Sequence, residues 1–202
     1  MPAQVEFHFD FGSPNAYFAH QVIPGIEQRT GAKFEYVPIL LGGVFKLTNN
    51  QPPMLQFKGI KNKSEYQRLE VRRFIKKHGL TRFQMNPHFP VNTVQIMRGA
   101  VASQTTGTFQ RYVDVVFAAM WEEGKKMDDA EVIAASLDAA GLDAAETLRR
   151  IQKQDVKDQL LKNTEGSVAR GTFGAPTFFV GNEIFFGKDS LGAVEEEIAA
   201  TR

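Results

Sequence analysis

The chain has 202 residues, 43% of them hydrophobic and 23% charged, with a formal net charge of +1. That size and balance suit one globular domain, or one domain carrying an insertion, and provide no global field that would draw nucleic acid. Cysteine is absent, which excludes disulfides, thiolate metal sites and a cysteine nucleophile.

A chain without disulfides suits a reducing compartment. The start, "MPAQVEFHFD", has neither the basic flank nor the apolar run of a signal peptide. No apolar stretch approaches the roughly 20 residues of a membrane span. The expectation is a cytoplasmic protein with no membrane contact.

Residues 4–11, "QVEFHFDF", alternate so that Val5, Phe7, Phe9 and Phe11 share one face, the signature of a strand. Ser13 is placed to cap a following helix, and Pro14 fits its first position, where a missing N–H costs nothing. Tyr17, Ile23 and Ile26 carry the apolar stripe to Gly31, and Pro24 predicts a kink or break. "KFEYVPILL" (33–41) reads as a second strand, completing a βαβ unit that is expected to be parallel.

The middle of the chain is helical in pattern from about 64 to 170. "SEYQRLEVRRFIKKHG" (64–79) stops at glycine, and residues 109–121 follow the i, i+3, i+4, i+7 template from Phe109 to Trp121. A further helix is expected over 128–141. Asp143 with Glu146 resembles a capping box opening another, and a last one covers about 155–170. "PTFFVG" and "EIFFG" then flank Gly181-Asn182, a hairpin turn signal, and "KDSLGAVEEEIAA" closes with Leu191, Val194 and Ile198 inward. The order βαβ, helices, ββα implies a split α/β domain with a helical insertion: residues 1–48 and 165–202 form the sheet domain and 49–164 the insertion.

Three short stretches can carry chemistry, and each has a plain structural reading beside it. Ser13, at a helix N-terminus, can cap, or its hydroxyl can donate to an anion held in the same dipole field. Pro176 in "GAPTFFVG" is either a loop-to-strand turn or a cis-proline at the first position of a strand. Asp189 and Ser190 in "GKDS" can open the last helix, or can hold a ligand's ammonium and its carboxylate, the latter on the Ser190 N–H. Residues 58–77 carry eight Lys or Arg (58, 61, 63, 68, 72, 73, 76, 77) against two acids. They make a solvated face, or one or two of them line a cleft for an anionic substrate. The four histidines lack metal-ligand spacing and read as structural or surface residues; no metal is expected. The 17 phenylalanines read as core, with an apolar wall for a flat aromatic substrate still open.

In this order the stretches resemble the DsbA-like branch of the thioredoxin superfamily. Its redox members carry Cys-x-x-Cys where this chain has Ser13-Pro14-Asn15-Ala16, facing a cis-proline loop that corresponds to Ala175-Pro176. Without a thiol, disulfide exchange is excluded. "FDFGSPNAYF", "NNQPP" (49–53), "GTFGAPTFFVG" and "FFGKDS" together resemble 2-hydroxychromene-2-carboxylate isomerases and kappa-class glutathione transferases along essentially the whole chain. The resemblance implies a thioredoxin-like α/β fold with a large helical insertion, glutathione as cofactor, and a homodimer.

It also implies that Ser13 hydrogen-bonds the glutathione sulfur and favours its thiolate. The backbone of Ala175, before Pro176, would pair with the cysteinyl amide. Asp189 and Ser190 would grip the γ-glutamyl end, with Phe186, Gly187, Lys188 and Asn50 lining the site, and Lys46, Lys58 and Asn92 would serve the substrate. The activity so implied is glutathione-dependent interconversion of 2-hydroxychromene-2-carboxylate and trans-o-hydroxybenzylidenepyruvate, or of a similar aromatic keto acid. A kappa-like transferase and a non-catalytic glutathione- or peptide-binding module stand as alternatives.

Overall fold

A computed structural model describes residues 4–201; the expected sheet-domain segments also include residues 1–3 and 202, which lie outside it. The sheet has four strands, β1 (Gln4–Phe9), β2 (Lys33–Pro38), β3 (Thr177–Val180) and β4 (Glu183–Phe186), in the order β2-β1-β3-β4. β1 runs parallel to β2, as a βαβ unit requires, and antiparallel to β3, which turns through Gly181-Asn182 into antiparallel β4. Gly181 has φ 59°, a left-handed value that the tight turn requires.

Between β1 and β2 runs α1 (Pro14–Thr30), which ends on Gly31 in the left-handed conformation. Between β2 and β3 lie α2 (Leu41–Thr48), α3 (Pro53–Gln56), α4 (Lys63–His78), α5 (Val94–Ser103) and α6 (Phe109–Trp121), followed by α7 (Ala130–Ala139), α8 (Ala144–Arg150) and α9 (Gln154–Ala169). A 3-10 turn over Lys188–Ser190 leads into α10 (Leu191–Ala200).

The alternation along β1 sets the packing. Val5, Phe7, Phe9 and Phe11 are fully buried on one face. The Phe7 ring stacks on Phe178 at 5.3 Å and meets Tyr36 edge-on at 4.8 Å, the two residues opposite it in β3 and β2. Phe9 and Phe11 both reach Phe117 of α6, and Trp121, one turn on, donates its indole N–H to the Phe11 carbonyl at 2.8 Å. His8 points the other way, under α9, where Nδ1 meets Ser167 Oγ at 2.8 Å; it is a buried structural residue.

Two expectations are corrected. Of the kink or break expected at Pro24, the break is absent: the helix runs through 14–30 with Pro24 on its exposed face, where water can satisfy the carbonyl released by the missing N–H. The apolar run 33–41 is not all strand: pairing ends at Pro38, and Leu41 already opens α2. A continuous apolar run does not distinguish a buried strand from the start of a helix.

Candidate active site

Ser13 caps α1: its backbone is extended, its Oγ accepts from the Ala16 N–H at 3.2 Å, and Pro14 needs no partner. The same hydroxyl donates to the Ala175 carbonyl at 2.9 Å. Both residues are buried, Ser13 with 6% of its surface exposed. The Ala175–Pro176 peptide is cis, and among the described residues no acceptor takes the Ala175 N–H.

From here a chain of contacts runs to the last helix. The Gly187 N–H donates to the Pro176 carbonyl at 2.9 Å, and Gly187 leads directly into Lys188, Asp189 and Ser190. The Lys188 ammonium pairs with the exposed Asp189 carboxylate and lies 4.8 Å over the Phe74 ring, while the rest of Lys188 is buried. Ser190 turns both its N–H and its hydroxyl onto the Gly187 carbonyl, at 3.2 and 2.8 Å. Its N–H is therefore engaged internally at the opening of the last helix, the plain structural reading of "GKDS".

Asn50 reaches the same region from the end of α2. Its Nδ2 donates to the Phe173 carbonyl at 2.9 Å, so it braces the loop before Pro176, while its Oδ1 accepts from the Gln51 N–H. The Phe186 ring packs tilted against Phe173 at 4.5 Å, and Gly174 passes so close that a Cβ there would meet the Phe186 ring at 2.7 Å. The resemblance-derived residues Ser13, Asn50, Ala175, Pro176 and Phe186 through Ser190 are thus linked, directly or through Phe173, by a chain of contacts.

The three substrate candidates do not join it through any side-chain bond. Lys46, in the last turn of α2, and Lys58, just after α3, are exposed. Asn92 folds its Oδ1 back onto the Val94 N–H at 3.1 Å, a local turn at the start of α5. Of the basic run, Arg68 and Arg73 pair with Glu65 and Glu70 three residues before them.

Asp10 was not singled out from the sequence and underlies the whole arrangement. Its carboxylate accepts from the Gly12 N–H at 2.8 Å, the Leu41 N–H at 2.7 Å and the Thr93 hydroxyl at 3.1 Å. It therefore ties the loop carrying Ser13 to the starts of α2 and α5. Burial pushes its pKa above the usual carboxylate value against the pull of those three donors. The available signal was a lone acid at the end of a phenylalanine-rich strand; its partners lie 31 and 83 residues away.

Among the described residues no cluster of three His, Cys, Asp or Glu side chains could hold a metal, and no helix is long and apolar enough to cross a membrane.

The profile of the DSBA-like thioredoxin domain matches residues 4–199. The chain belongs to the DSBA-like thioredoxin family. Within that family it is 28% identical over 193 residues to a 2-hydroxychromene-2-carboxylate isomerase of Pseudomonas putida, covering 95% of this chain and 92% of the relative. It is 23% identical over 191 residues to human glutathione S-transferase kappa 1, covering 87% and 80% of the two chains. A solved 2-hydroxychromene-2-carboxylate isomerase superposes with a TM-score of 0.81 at 27% identity, covering 98% of this chain and 95% of that one. The DSBA-like fold and the resemblance to these two enzyme groups agree with the sequence reading.

Proposed function

We propose that this DSBA-like protein is a glutathione-dependent isomerase of 2-hydroxychromene-2-carboxylate or of a similar aromatic keto acid. The observation that carries the proposal is the Ser13–Ala175 hydrogen bond. It sets a hydroxyl and a helix N-terminus against a cis-proline loop in a chain with no thiol of its own.

The residues fit glutathione. The unpaired Ala175 N–H and the second lone pair of its carbonyl suit an extended peptide backbone laid beside Pro176. Asp189 is exposed and can exchange the Lys188 ammonium for that of a γ-glutamyl group, leaving Lys188 to face the adjacent carboxylate. Bound glutathione supplies a thiol nucleophile that adds reversibly to the substrate and leaves again after bond rotation. Ser13 keeps its lone pair on the Ala16 N–H and turns its proton from Ala175 to the sulfur. That donor and the α1 dipole both favour the thiolate over the thiol.

The kappa-class relatives favour a second reading, conjugation of glutathione to an electrophile. The two separate in one experiment. Glutathione-dependent absorbance change with the chromene acid, without consumption of glutathione, supports the isomerase. Stoichiometric loss of thiol with an aryl halide, and none with the chromene acid, supports the transferase.

A further inference from the structure

A groove of about 330 Å³ opens between α1, α4, the 3-10 turn and α10. Its volume lies at the lower end of the ~300–1,000 Å³ typical of small-molecule sites. Val22, Ile26, Phe74 and Leu191 supply apolar walls. Gly192 of α10 keeps it open: a Cβ there would meet nothing within 4 Å.

The charges around the groove do not cancel. Arg29 is held by Glu195 through two bonds of 2.7 and 2.9 Å, Arg73 by Glu70, and Lys188 by Asp189. Lys77 also lines the groove and, among the described residues, has no carboxylate partner. The pKa of the neighbouring His78 is lowered, first by burial and then by the charges of Lys77, Arg29 and Lys188.

The groove borders the proposed glutathione site at Lys188 and Asp189 and runs from there along α1, away from Ser13. Val22 and Arg29 follow Ser13 by nine and sixteen positions, so at 1.5 Å per residue they lie roughly 13 and 24 Å along the axis of α1. A small acid resting on these walls is out of reach of a sulfur at Ser13. Of the basic run 58–77, Arg73 and Lys77 line this groove.

We propose that the groove is a second, non-catalytic site for a flat aromatic monocarboxylate, its ring against Phe74 and Leu191 and its carboxylate on Lys77. The inference stands whether or not Ser13 serves a thiol.

The test is calorimetric titration of the full chain with 2-naphthoate, with 2-naphthylmethanol as the neutral probe. Saturable binding of the acid, and none of the alcohol at the same concentration, is expected. Lys77→Glu should weaken the acid roughly 5- to 10-fold. Gly192→Leu, which fills the groove from a position with free space, should abolish binding while the melting temperature stays level or rises. Ser13→Ala should leave the affinity unchanged. Equal affinity for both probes, indifference to both groove variants, or displacement of the acid by S-methylglutathione in proportion to its own occupancy overturns the proposal.

Discussion

The Ser13 hydroxyl and the Ala175 carbonyl, 162 positions apart in sequence, meet at 2.9 Å where the N-terminus of α1 faces the cis-proline loop. One side chain thus closes two structures at once, since the same oxygen caps α1 through the Ala16 N–H. The capping and catalytic readings of Ser13 are compatible, because the cap uses a lone pair and the catalytic role uses the proton.

Replacing Ser13 with alanine separates these roles by magnitude. Loss of the cap costs about 0.5–2 kcal/mol, and the bond to Ala175 about 0.5–1.5 kcal/mol, so Ser13→Ala should lower stability by roughly 1–3 kcal/mol and remain folded. A hydrogen bond to a charged sulfur is worth about 1.5–3 kcal/mol, so glutathione-dependent turnover should fall by about 10- to 100-fold. Ultraviolet titration of bound glutathione should show its thiol pKa rising in the variant. An unchanged thiol pKa would remove Ser13 from the chemistry.

Asp189 should behave differently, because the proposed function puts it at the end of glutathione remote from the sulfur. Asp189→Asn keeps the shape and removes the charge that would receive the γ-glutamyl ammonium. The expected result is a KM for glutathione raised roughly tenfold with kcat nearly unchanged, the pattern of an interaction made equally in ground and transition states. A fall in kcat with KM unaltered would place Asp189 elsewhere in the mechanism.

What could be read from the sequence was what local pattern determines. The β1 alternation, the stripe of α6, the Gly181-Asn182 turn and the glycine stops of α1 and α4 each depend on residues within one element, and each stands in the structure. Asp143 does accept from the Glu146 N–H, but Glu146 turns to Arg149 and Arg150 instead of closing the capping box. The start of α2 was hidden in an unbroken apolar run. The four ordered motifs pointed to the candidate site, and nothing local in them encoded its wiring. Whether Asn50 lines the site or braces Phe173 is decided by a contact across 123 residues, and no local pattern encodes it.

Gly99 provides a packing test away from the site. It lies in α5 against Tyr112 of α6, whose hydroxyl donates to the Ile96 carbonyl at 2.9 Å, and a Cβ at Gly99 would meet that hydroxyl oxygen at 2.0 Å. Gly→Ala in a helix ordinarily stabilises by about 0.5–1 kcal/mol. Overpacking a buried contact costs about 1–3 kcal/mol and should win, because Tyr112 is buried and held by its own hydrogen bond. Gly99→Ala should therefore lower the chemical denaturation midpoint. A variant as stable as the parent would mean that α5 and α6 can separate freely.

The pH dependence of stability should reveal His8. Burial holds its pKa below the ordinary 6.5, although Glu6, 2.9 Å from Nε2, pulls the other way. Arg170 weakens that pull, since it pairs with the same Glu6 carboxylate while lying over the Phe179 ring. A depressed histidine binds fewer protons folded than unfolded. Its contribution is therefore present above about pH 6.5 and is lost as pH falls toward the depressed value. Glu6 also has a lowered pKa, because Arg170 and His8 outweigh its burial, but its contribution is lost only as pH falls through a value under 4.5. Between pH 7.5 and 5.5, then, the denaturation midpoint should fall, and His8→Gln should flatten most of that slope. His78, shifted in the same direction but less buried, accounts for the remainder. If the glutamine variant keeps the full slope, His8 is protonated in the folded protein and donates to Ser167 and Glu6 together.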